Sequence, residues 1–178
     1  CNWKTKYFYD IISNKGWHLF SMDWLEISAI SVLKEEGDNL IRIAIVDDEK
    51  FIREHVKKLI KDKQAECLLD TYSTGETLIQ ADKCYDIVFL DIQMDGMNGI
   101  DTARILRQKT EHTVLVFITG VKEYVFDAFD VAAFHYLIKP IDEQKFADVF
   151  KRAVLEVGKK KQQANGQLFV KTRYRNIT

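Results

Sequence analysis

The chain has 178 residues, of which 47% are hydrophobic and 30% are charged. This composition is typical of a globular domain with a buried core and not of a disordered chain. Lys and Arg number 26 against 27 Asp and Glu, so the net charge of -1 indicates neither a nucleic-acid partner nor a membrane partner for the chain as a whole. The three cysteines show no C-x-x-C spacing, which argues against a disulfide framework and a zinc site. With no apolar run long enough to span a bilayer and no secretory leader, we expect a cytoplasmic protein.

Residues 1–39 are rich in aromatic side chains and precede the first regular pattern in the chain. The segment Ser21 to Glu36 has a helix cap and a partial apolar face, which predicts a short helical extension. A second hypothesis treats residues 1–39 as a translated leader, because Lys34 to Gly37 can be encoded by purine-rich codons that resemble a ribosome-binding site. Translation would then start at Leu40. Because the first residue is Cys1 rather than Met, we expect the chain to be a fragment of a longer protein.

From residue 41 onward, short apolar runs alternate with segments of helical period, a pattern typical of βαβ units around a parallel sheet. The runs are Ile41 to Val46, Cys67 to Tyr72, Ile87 to Leu90, Val114 to Ile118 and Phe134 to Ile138. Near-continuous apolarity in the third and fourth runs predicts central strands, whereas the polar residues of the second predict an edge strand. We therefore predict an α/β fold: a doubly wound, flavodoxin-like sheet of five parallel strands in the order 2-1-3-4-5, with helices on both faces.

Helix candidates fill the intervals between the runs, and each has an apolar stripe that would pack on the sheet. The stripes lie within residues 51–60, 100–106 and 146–157, of which the last is the clearest. Ser73 or Thr74 would cap a short helix that ends near Ala81, and Glu123 to Val131 predicts a further short helix.

The end of the chain changes in character after residue 157. Residues 158–166 are rich in Lys and Gln without a periodic apolar pattern, which predicts a linker. Leu168, Val170 and Thr172 then alternate with Phe169 and Lys171, which predicts a β-strand. We accordingly interpret residues 40–157 as one domain and residues 167–178 as the start of a second, truncated domain.

Polar side chains follow four of the predicted strands at their carboxyl ends, where open α/β sheets bind ligands. These residues are Asp47 and Asp48 after the first strand, Asp91 after the third, Thr119 after the fourth and Lys139 after the fifth. Carboxylates gathered in this way repel one another unless a cation neutralises them, and Mg²⁺ prefers oxygen ligands. The sequence therefore predicts a magnesium site at this edge of the sheet.

Such a site suits phosphoryl transfer, because that chemistry depends mainly on positioning and on charge neutralisation. Asp91 can serve as the nucleophile, since an aspartate carboxylate forms an acyl phosphate. Lys139 would offer a positive charge to the phosphoryl oxygens, and the Thr119 hydroxyl and the Gly120 N–H would offer hydrogen bonds. Alternatives without chemistry exist: Asp47 and Asp48 can cap a helix, as can Thr119.

Four motifs resemble the receiver domain of bacterial two-component response regulators, over the stretch from Leu40 to Val157. They are I-V-D-D-E at residues 45–49, F-L-D-I-Q-M-D-G-M-N-G at 89–99, F-I-T-G at 117–120 and Y-L-I-K-P at 136–140. Each motif alone would carry little weight, but their order and their positions at the strand ends are specific. The resemblance implies the same CheY-like fold and binding of Mg²⁺.

The resemblance also implies a role for each matching residue. Asp91 corresponds to the phospho-accepting aspartate, Asp48 to a direct metal ligand and Asp47 to a ligand that acts through water. The backbone carbonyl of Gln93 would complete the protein ligands of the metal. Four further residues correspond to positions for switching, for phosphate binding and for a cis peptide bond. The residues are Thr119 (switch hydroxyl), Tyr136 (switch aromatic), Lys139 (phosphate-binding lysine) and Pro140, which follows a cis peptide bond.

A subfamily is indicated by the run from Glu123 to Asp142, which is similar to receivers that precede a LytTR-type DNA-binding domain. The terminal residues 168–178 resemble the first strand of that domain. The expected partners are a sensor histidine kinase as phosphoryl donor, a second copy of the chain that pairs through the fourth helix, fifth strand and fifth helix upon phosphorylation, and DNA through the truncated domain.

Two other functions remain open. The receiver could act only through protein contacts or as a phosphate sink. It could also be a phosphatase or phosphotransferase with an aspartyl intermediate, but such enzymes usually place a second aspartate two residues after the nucleophile. Gln93 occupies that position here. We therefore expect a protein that catalyses its own phosphorylation and slow dephosphorylation rather than an enzyme with fast turnover.

Overall fold

The computed structural model describes residues 40–63, 67–121 and 123–173, with side chains described as far as residue 162. In this part of the chain, five strands alternate with five helices. They are β1 (Ile41–Val46), α1 (Lys50–Lys63), β2 (Cys67–Tyr72), α2 (Gly75–Gln80), β3 (Ile87–Leu90), α3 (Gly99–Lys109), β4 (Val114–Thr119), α4 (Val125–Asp130), β5 (His135–Ile138) and α5 (Glu143–Arg173). The expectations for residues 1–39 lie outside the described residues.

The five strands form one parallel sheet in the order β2-β1-β3-β4-β5, which confirms the predicted fold class. Every pair of neighbouring strands is parallel, with Val46 level with Leu90 in the register of β1 and β3. All residues of β3 and β4 are buried, whereas β2 has only half-buried and exposed residues. The long apolar runs are therefore central strands, and the run with Asp70 is an edge strand, as predicted.

The hydrophobic core lies on both faces of the sheet, because alternate residues of a strand point to opposite sides. Ile43 and Ile45 belong to a cluster with buried residues of α1 and α5. Ala44 and Val46 belong to a second cluster with buried residues of α2, α3 and α4. Each large apolar side chain buried in this way stabilises the fold by about 1.5–3 kcal/mol. The two layers of helices cover both faces and leave the carboxyl edge of the sheet to the loops.

Side-chain caps define where two of the helices begin. Thr74 is the N-cap of α2 and accepts a hydrogen bond from the Thr77 N–H, so of the two predicted capping residues it is Thr74 that caps. Asn98 is the N-cap of α3 and accepts a bond of 2.9 Å from the Asp101 N–H. Both caps satisfy N–H groups that a helix start leaves unpaired. They also fix the loops that enter α2 and α3 near the carboxyl edge of the sheet.

Helix α5 is longer than the sequence predicted, because it continues to Arg173. The predicted strand at Leu168 to Arg173 is therefore wrong. Residues 158–166 are helical, and their role as a linker stays a prediction. Lys, Gln and Ala favour a helix, and a helix satisfies its backbone hydrogen bonds internally whereas a strand needs a partner. Lys160 and Lys161 also tie this part of α5 to the domain, through bonds of 3.2 Å to the His112 carbonyl and to Asp86 Oδ2.

The prediction that residues 167–178 start a second domain is not settled by the continuous helix, and residues 174–178 lie outside the described part of the chain. Among the described helices, α5 included, none combines the length and apolar character needed to cross a membrane.

Candidate functional site

Four strands deliver polar side chains to one edge of the sheet, as the sequence predicted. Asp47 and Asp48 follow β1, Asp91 follows β3, Thr119 ends β4 and Lys139 follows β5. The backbone ladder continues into these residues. The Asp91 N–H donates to the Val46 carbonyl at 2.9 Å, and the Lys139 N–H donates to the Thr119 carbonyl at 2.9 Å. The positions of the site residues are therefore set by strand pairing rather than by flexible loops.

Lys139 is the centre of the site. Its ammonium lies 2.7 Å from Asp91 Oδ2, 2.9 Å from Asp47 Oδ2 and 3.1 Å from Glu49 Oε1. Burial opposes the charge of this ammonium, but the hydrogen bonds to Asp91 and Asp47 outweigh burial and raise the pKa of Lys139. The lysine is therefore a permanent positive charge between the two buried aspartates. The sequence analysis did not foresee the contact with Glu49, although this residue lies within the quoted I-V-D-D-E motif.

The three aspartates form the group of carboxylates that the sequence predicted. One oxygen from each of Asp47, Asp48 and Asp91 lies within 4.8 Å of the others. Asp47 and Asp91 are buried, whereas Asp48 is exposed. Burial raises the pKa of Asp47, although bonds from Lys139 and from the Glu49 N–H oppose the shift. The buried carboxylates thus carry an electrostatic cost.

The donor set of this group fits a hard divalent cation. Three carboxylates and Glu49 surround the Lys139 ammonium, and the Arg53 guanidinium lies nearby, so among the described residues of the site negative charge exceeds positive charge. Carboxylate oxygens are the ligands that Mg²⁺ prefers in proteins. Gln93, whose carbonyl is the predicted ligand, lies beside Asp91, because its N–H donates to Asp91 Oδ1 at 3.2 Å. The side chain of Gln93 is exposed. The residues present are therefore compatible with the expected metal.

Thr119 and Tyr136 meet at the loop that follows β4. Thr119 is fully buried, and its Oγ1 accepts a bond of 3.4 Å from the Val121 N–H. This bond lies before α4, so it does not support the alternative that Thr119 caps that helix. The Tyr136 hydroxyl donates to the Val121 carbonyl, and its ring lies 6.1 Å from the ring of Phe117. Burial raises the pKa of Tyr136.

Two other predicted positions have simple geometry. Gly120 is exposed, and a methyl group placed on it would meet no atom within 4 Å, so the space around its backbone is open. The peptide bond between Lys139 and Pro140 is cis, which is the geometry that the resemblance implied.

An open cleft of about 350 Å³ lies beside the carboxylates. Its walls consist of residues that follow β1, the loop between β3 and α3, and one aromatic residue at the start of α4. They are Asp48, Ile92, Gln93, Met94, Asp95, Asn98 and Tyr124. The sequence analysis gave no role to Tyr124. Of the three clustered aspartates, Asp48 lines this cleft.

Two residues that the sequence analysis missed hold the site in place. The Arg53 guanidinium donates to the Asp47 carbonyl at 2.6 Å and to the Asp48 carbonyl at 3.0 Å. A side chain at Gly99 would place its Cβ 2.0 Å from the Asp91 carbonyl oxygen, so only glycine fits there. Both left a signal in the sequence: a basic residue near a helix start opposes the helix dipole, and glycine is a poor helix former.

The model of the family described as "Response regulator receiver domain" matches residues 43–151 of this chain. The match contains β2 to β5, the last four residues of β1 and the residues of the carboxylate group.

Relatives of known name agree with this match. The sensory transduction protein LytT of Bacillus cereus is 33% identical over 120 residues, which cover 64% of this chain and 47% of that protein. The positive alginate biosynthesis regulatory protein of Pseudomonas aeruginosa is 35% identical over 117 residues, with coverage of 64% and 47%. The chain thus spans about half the length of these relatives.

A solved structure extends the likeness to three dimensions. The response regulator TrrA of Thermotoga maritima, in complex with Mg²⁺ and BeF, is 29% identical with a TM-score of 0.58, and the match covers 64% of this chain and 99% of TrrA. The fold, the residues at the strand ends and these likenesses agree, and the chain belongs to the response regulator receiver domain family.

Proposed function

We propose that this chain is the phospho-accepting receiver of a two-component signalling system and that Asp91 is the residue that becomes phosphorylated. The single observation that carries the proposal is the 2.7 Å contact between Lys139 Nζ and Asp91 Oδ2 inside a group of three carboxylates. A lysine in this position can pair with the Asp91 carboxylate before phosphorylation and with the phosphoryl oxygens afterwards. The proposed donor is a phosphohistidine of a sensor histidine kinase.

In the proposed reaction, an oxygen of Asp91 forms a bond to phosphorus, while the bond from phosphorus to the donor nitrogen breaks. The electron pair of that bond returns to the donor imidazole. Lys139 would balance the negative charge of the phosphoryl oxygens, and the Thr119 hydroxyl and the Gly120 N–H would donate hydrogen bonds to them. The open space around Gly120 leaves room for such an approach. Most of the catalysis is positioning and charge neutralisation.

The proposed cofactor is Mg²⁺, held by Asp47, Asp48, Asp91 and the backbone carbonyl of Gln93. When bound, the ion supplies positive charge that neutralises carboxylate and phosphoryl oxygens. The excess of carboxylates over ammonium groups supports this assignment, as does the Mg²⁺ present in the TrrA complex. Lys139 and Arg53 hold the loop that carries Asp47, through contacts of 2.9 Å and 2.6 Å.

The proposed switch couples Asp91 to the surface of α4, β5 and α5. Thr119 would move toward the phosphoryl group, and Tyr136, which bonds the Val121 carbonyl, would follow the loop. Phe126 and Phe129 on α4 are 82% and 73% exposed, and large apolar side chains at a surface favour a protein contact. We propose that two phosphorylated copies pair through this surface.

The proposed output is control of transcription in the cytoplasm, through a LytTR-type DNA-binding domain beyond the receiver. The likeness to LytT and to the alginate biosynthesis regulatory protein supports this output, because both are regulators about twice as long as the matched region. Receiver domains are not classical enzymes, and Gln93 in place of a second aspartate supports slow dephosphorylation rather than turnover.

Incubation with acetyl phosphate and Mg²⁺ tests the proposal. Wild-type protein should gain one phosphoryl group that hydroxylamine removes, as measured by intact-protein mass spectrometry. Asp91→Asn should gain none, because an amide is not a nucleophile for this reaction. The matched control is Asp95→Asn, since Asp95 is an exposed aspartate that lines the same cleft and should leave phosphorylation intact. A hydroxylamine-sensitive phosphate on Asp91→Asn would refute the assignment.

A further inference from the structure

The loop between β3 and α3, residues 92–98 and here called the site loop, forms most of the wall of the cleft beside Asp91. It contributes Ile92, Gln93, Met94, Asp95 and Asn98 to that wall. One hydrogen bond of 2.9 Å closes the loop, from the Gly99 N–H after its last residue to the carbonyl of Ile92, its first residue. The position of the backbone between Ile92 and Gly99 decides where the carbonyl of Gln93 lies.

A carboxylate from a different helix holds the middle of the site loop. Glu76, in the first turn of α2, accepts a hydrogen bond of 2.7 Å from the Met97 N–H through Oε1. Its own backbone N–H and that of Met97 lower the pKa of Glu76, so the carboxylate is ionised at neutral pH. Bonds from an N–H to an ionised acceptor are stronger than neutral ones.

Glycines permit the close approach of α2 to the site loop. Gly96 has a φ of 81°, and a Cβ on it would lie 2.7 Å from Glu76 Oε1. A Cβ on Gly75 would lie 2.0 Å from Thr102 Oγ1, which itself donates to the Asn98 carbonyl at 2.9 Å. The start of α2 is therefore in direct contact with both the site loop and the start of α3.

We infer that Glu76 is a positioning residue for the divalent cation site, which it serves by holding the backbone of the site loop through Met97. This inference rests on the proposed function of the carboxylate group. A loop that is already ordered loses less conformational entropy when it binds an ion. The contact with Glu76 should therefore lower the dissociation constant for Mg²⁺. Glu76 has no place in the reaction itself, because its partner is the backbone of the loop and not the ion.

Titration with MgCl₂, followed in ¹H–¹⁵N spectra through the amides of Gln93 and Met97, tests the inference. Glu76→Ala should raise the Mg²⁺ dissociation constant about tenfold, which is the size of one charge-assisted hydrogen bond. Glu76→Gln keeps an acceptor oxygen and should raise it less than about threefold. Thr77→Ala is the matched control, because Thr77 lies beside Glu76 on α2 and bonds Thr74 rather than the loop. It should change the constant less than about twofold.

Gly96→Ala tests the same contact from the side of the loop. It should also weaken Mg²⁺ binding, and its effect in the Glu76→Ala background should be smaller than in the wild type, because the clash with Glu76 is then removed. The melting temperature of each variant without Mg²⁺ shows which variants are folded at the temperature of the titration.

The outcomes separate the inference from the function on which it rests. If the wild type binds Mg²⁺ and Glu76→Ala binds it equally well, the inference is overturned while the metal site stands. Equal weakening by Thr77→Ala also overturns the inference, since the cause would then be the stability of α2. A wild type without saturable shifts refutes the proposed metal site and the inference together.

Discussion

The two ends of the sheet differ in the balance between positive and negative side chains. At the carboxyl end, three aspartates and Glu49 outnumber the two described cations beside them, Lys139 and Arg53. At the amino end, the carboxylate of Asp86 accepts a bond of 2.8 Å from the Arg42 N–H and one of 3.2 Å from Lys161. The amino end therefore balances its charge within the chain, whereas the carboxyl end keeps an excess of negative charge.

Arg107 gives the amino end a second group of hydrogen bonds. Its guanidinium donates to the carbonyls of Thr113 and Val131, each at 2.8 Å, and to that of Ala132 at 3.1 Å. Burial lowers the pKa of Arg107, but a guanidinium stays protonated at any pH at which the protein is folded. The contrast teaches that hydrogen bonds to Asp86 and from Arg107 tie the loops at the amino end together, whereas the excess of carboxylates at the carboxyl end, with Asp47 buried, is held at a cost that a bound cation would offset.

The largest expected effect is on phosphorylation by removal of the ammonium at the carboxyl end. Lys139→Met keeps an unbranched side chain but removes the ammonium, and it should slow phosphorylation by acetyl phosphate about 10²- to 10³-fold, the usual effect of losing one preorganised donor. Time courses by mass spectrometry measure the rate. Lys83→Met removes an exposed lysine that pairs with Asp70 at 3.0 Å and serves as the control. A rate within a few-fold of the wild type for Lys139→Met would contradict the role of the Lys139 ammonium in phosphorylation.

Next in size is the effect of Arg107→Ala on stability. Three carbonyls would lose their shared donor, so the free energy of unfolding in urea should fall by about 2–4 kcal/mol. Arg107→Lys should restore part of this loss, because an ammonium cannot reach all three carbonyls at once. The rate of phosphorylation of the folded variant should stay unchanged. A slower rate with unchanged stability would assign Arg107 to the site instead.

The smallest expected effect is a gain in stability from Asp47→Asn. The raised pKa of Asp47 means that the folded state binds its proton more tightly than the unfolded state. The free energy of unfolding without Mg²⁺ should therefore fall as the pH rises from the ordinary aspartate value through the raised value, and it stays low above that window. Asp47→Asn should lack this fall and be more stable at pH 7, by an amount on the order of 1 kcal/mol.

Urea unfolding at several pH values between about 4 and 7 measures the effect, since this range begins near the ordinary aspartate pKa. Lys139 behaves in the opposite sense, because its raised pKa stabilises the fold below the ordinary lysine value and this contribution is lost only as the pH rises through the raised value. A variant Asp47→Asn that is less stable than the wild type at pH 7 would contradict the cost assigned to the carboxyl end.

The period of the apolar residues predicted the five strands, and the flavodoxin-like arrangement expected for a sheet of this size predicted their order. The polar residues after the strands predicted the end of the sheet that carries the site. The strand predicted at residues 168–173 was wrong, because α5 continues there. Alternation over six residues is a weak signal, since a short segment can be a strand or a helix according to its surroundings. The contacts of Lys160 and Lys161 with the domain could not be read from that pattern.

The sequence by itself determined which residues follow each strand, because strand periodicity and strand-end motifs are local patterns. Only the tertiary structure decided that Lys139 lies between Asp91 and Asp47, a contact that spans 48 residues in the case of Asp91. The same holds for the bond from Met97 to Glu76, 21 residues away. Such contacts depend on strand register and on how helices pack on the sheet, which no local pattern encodes.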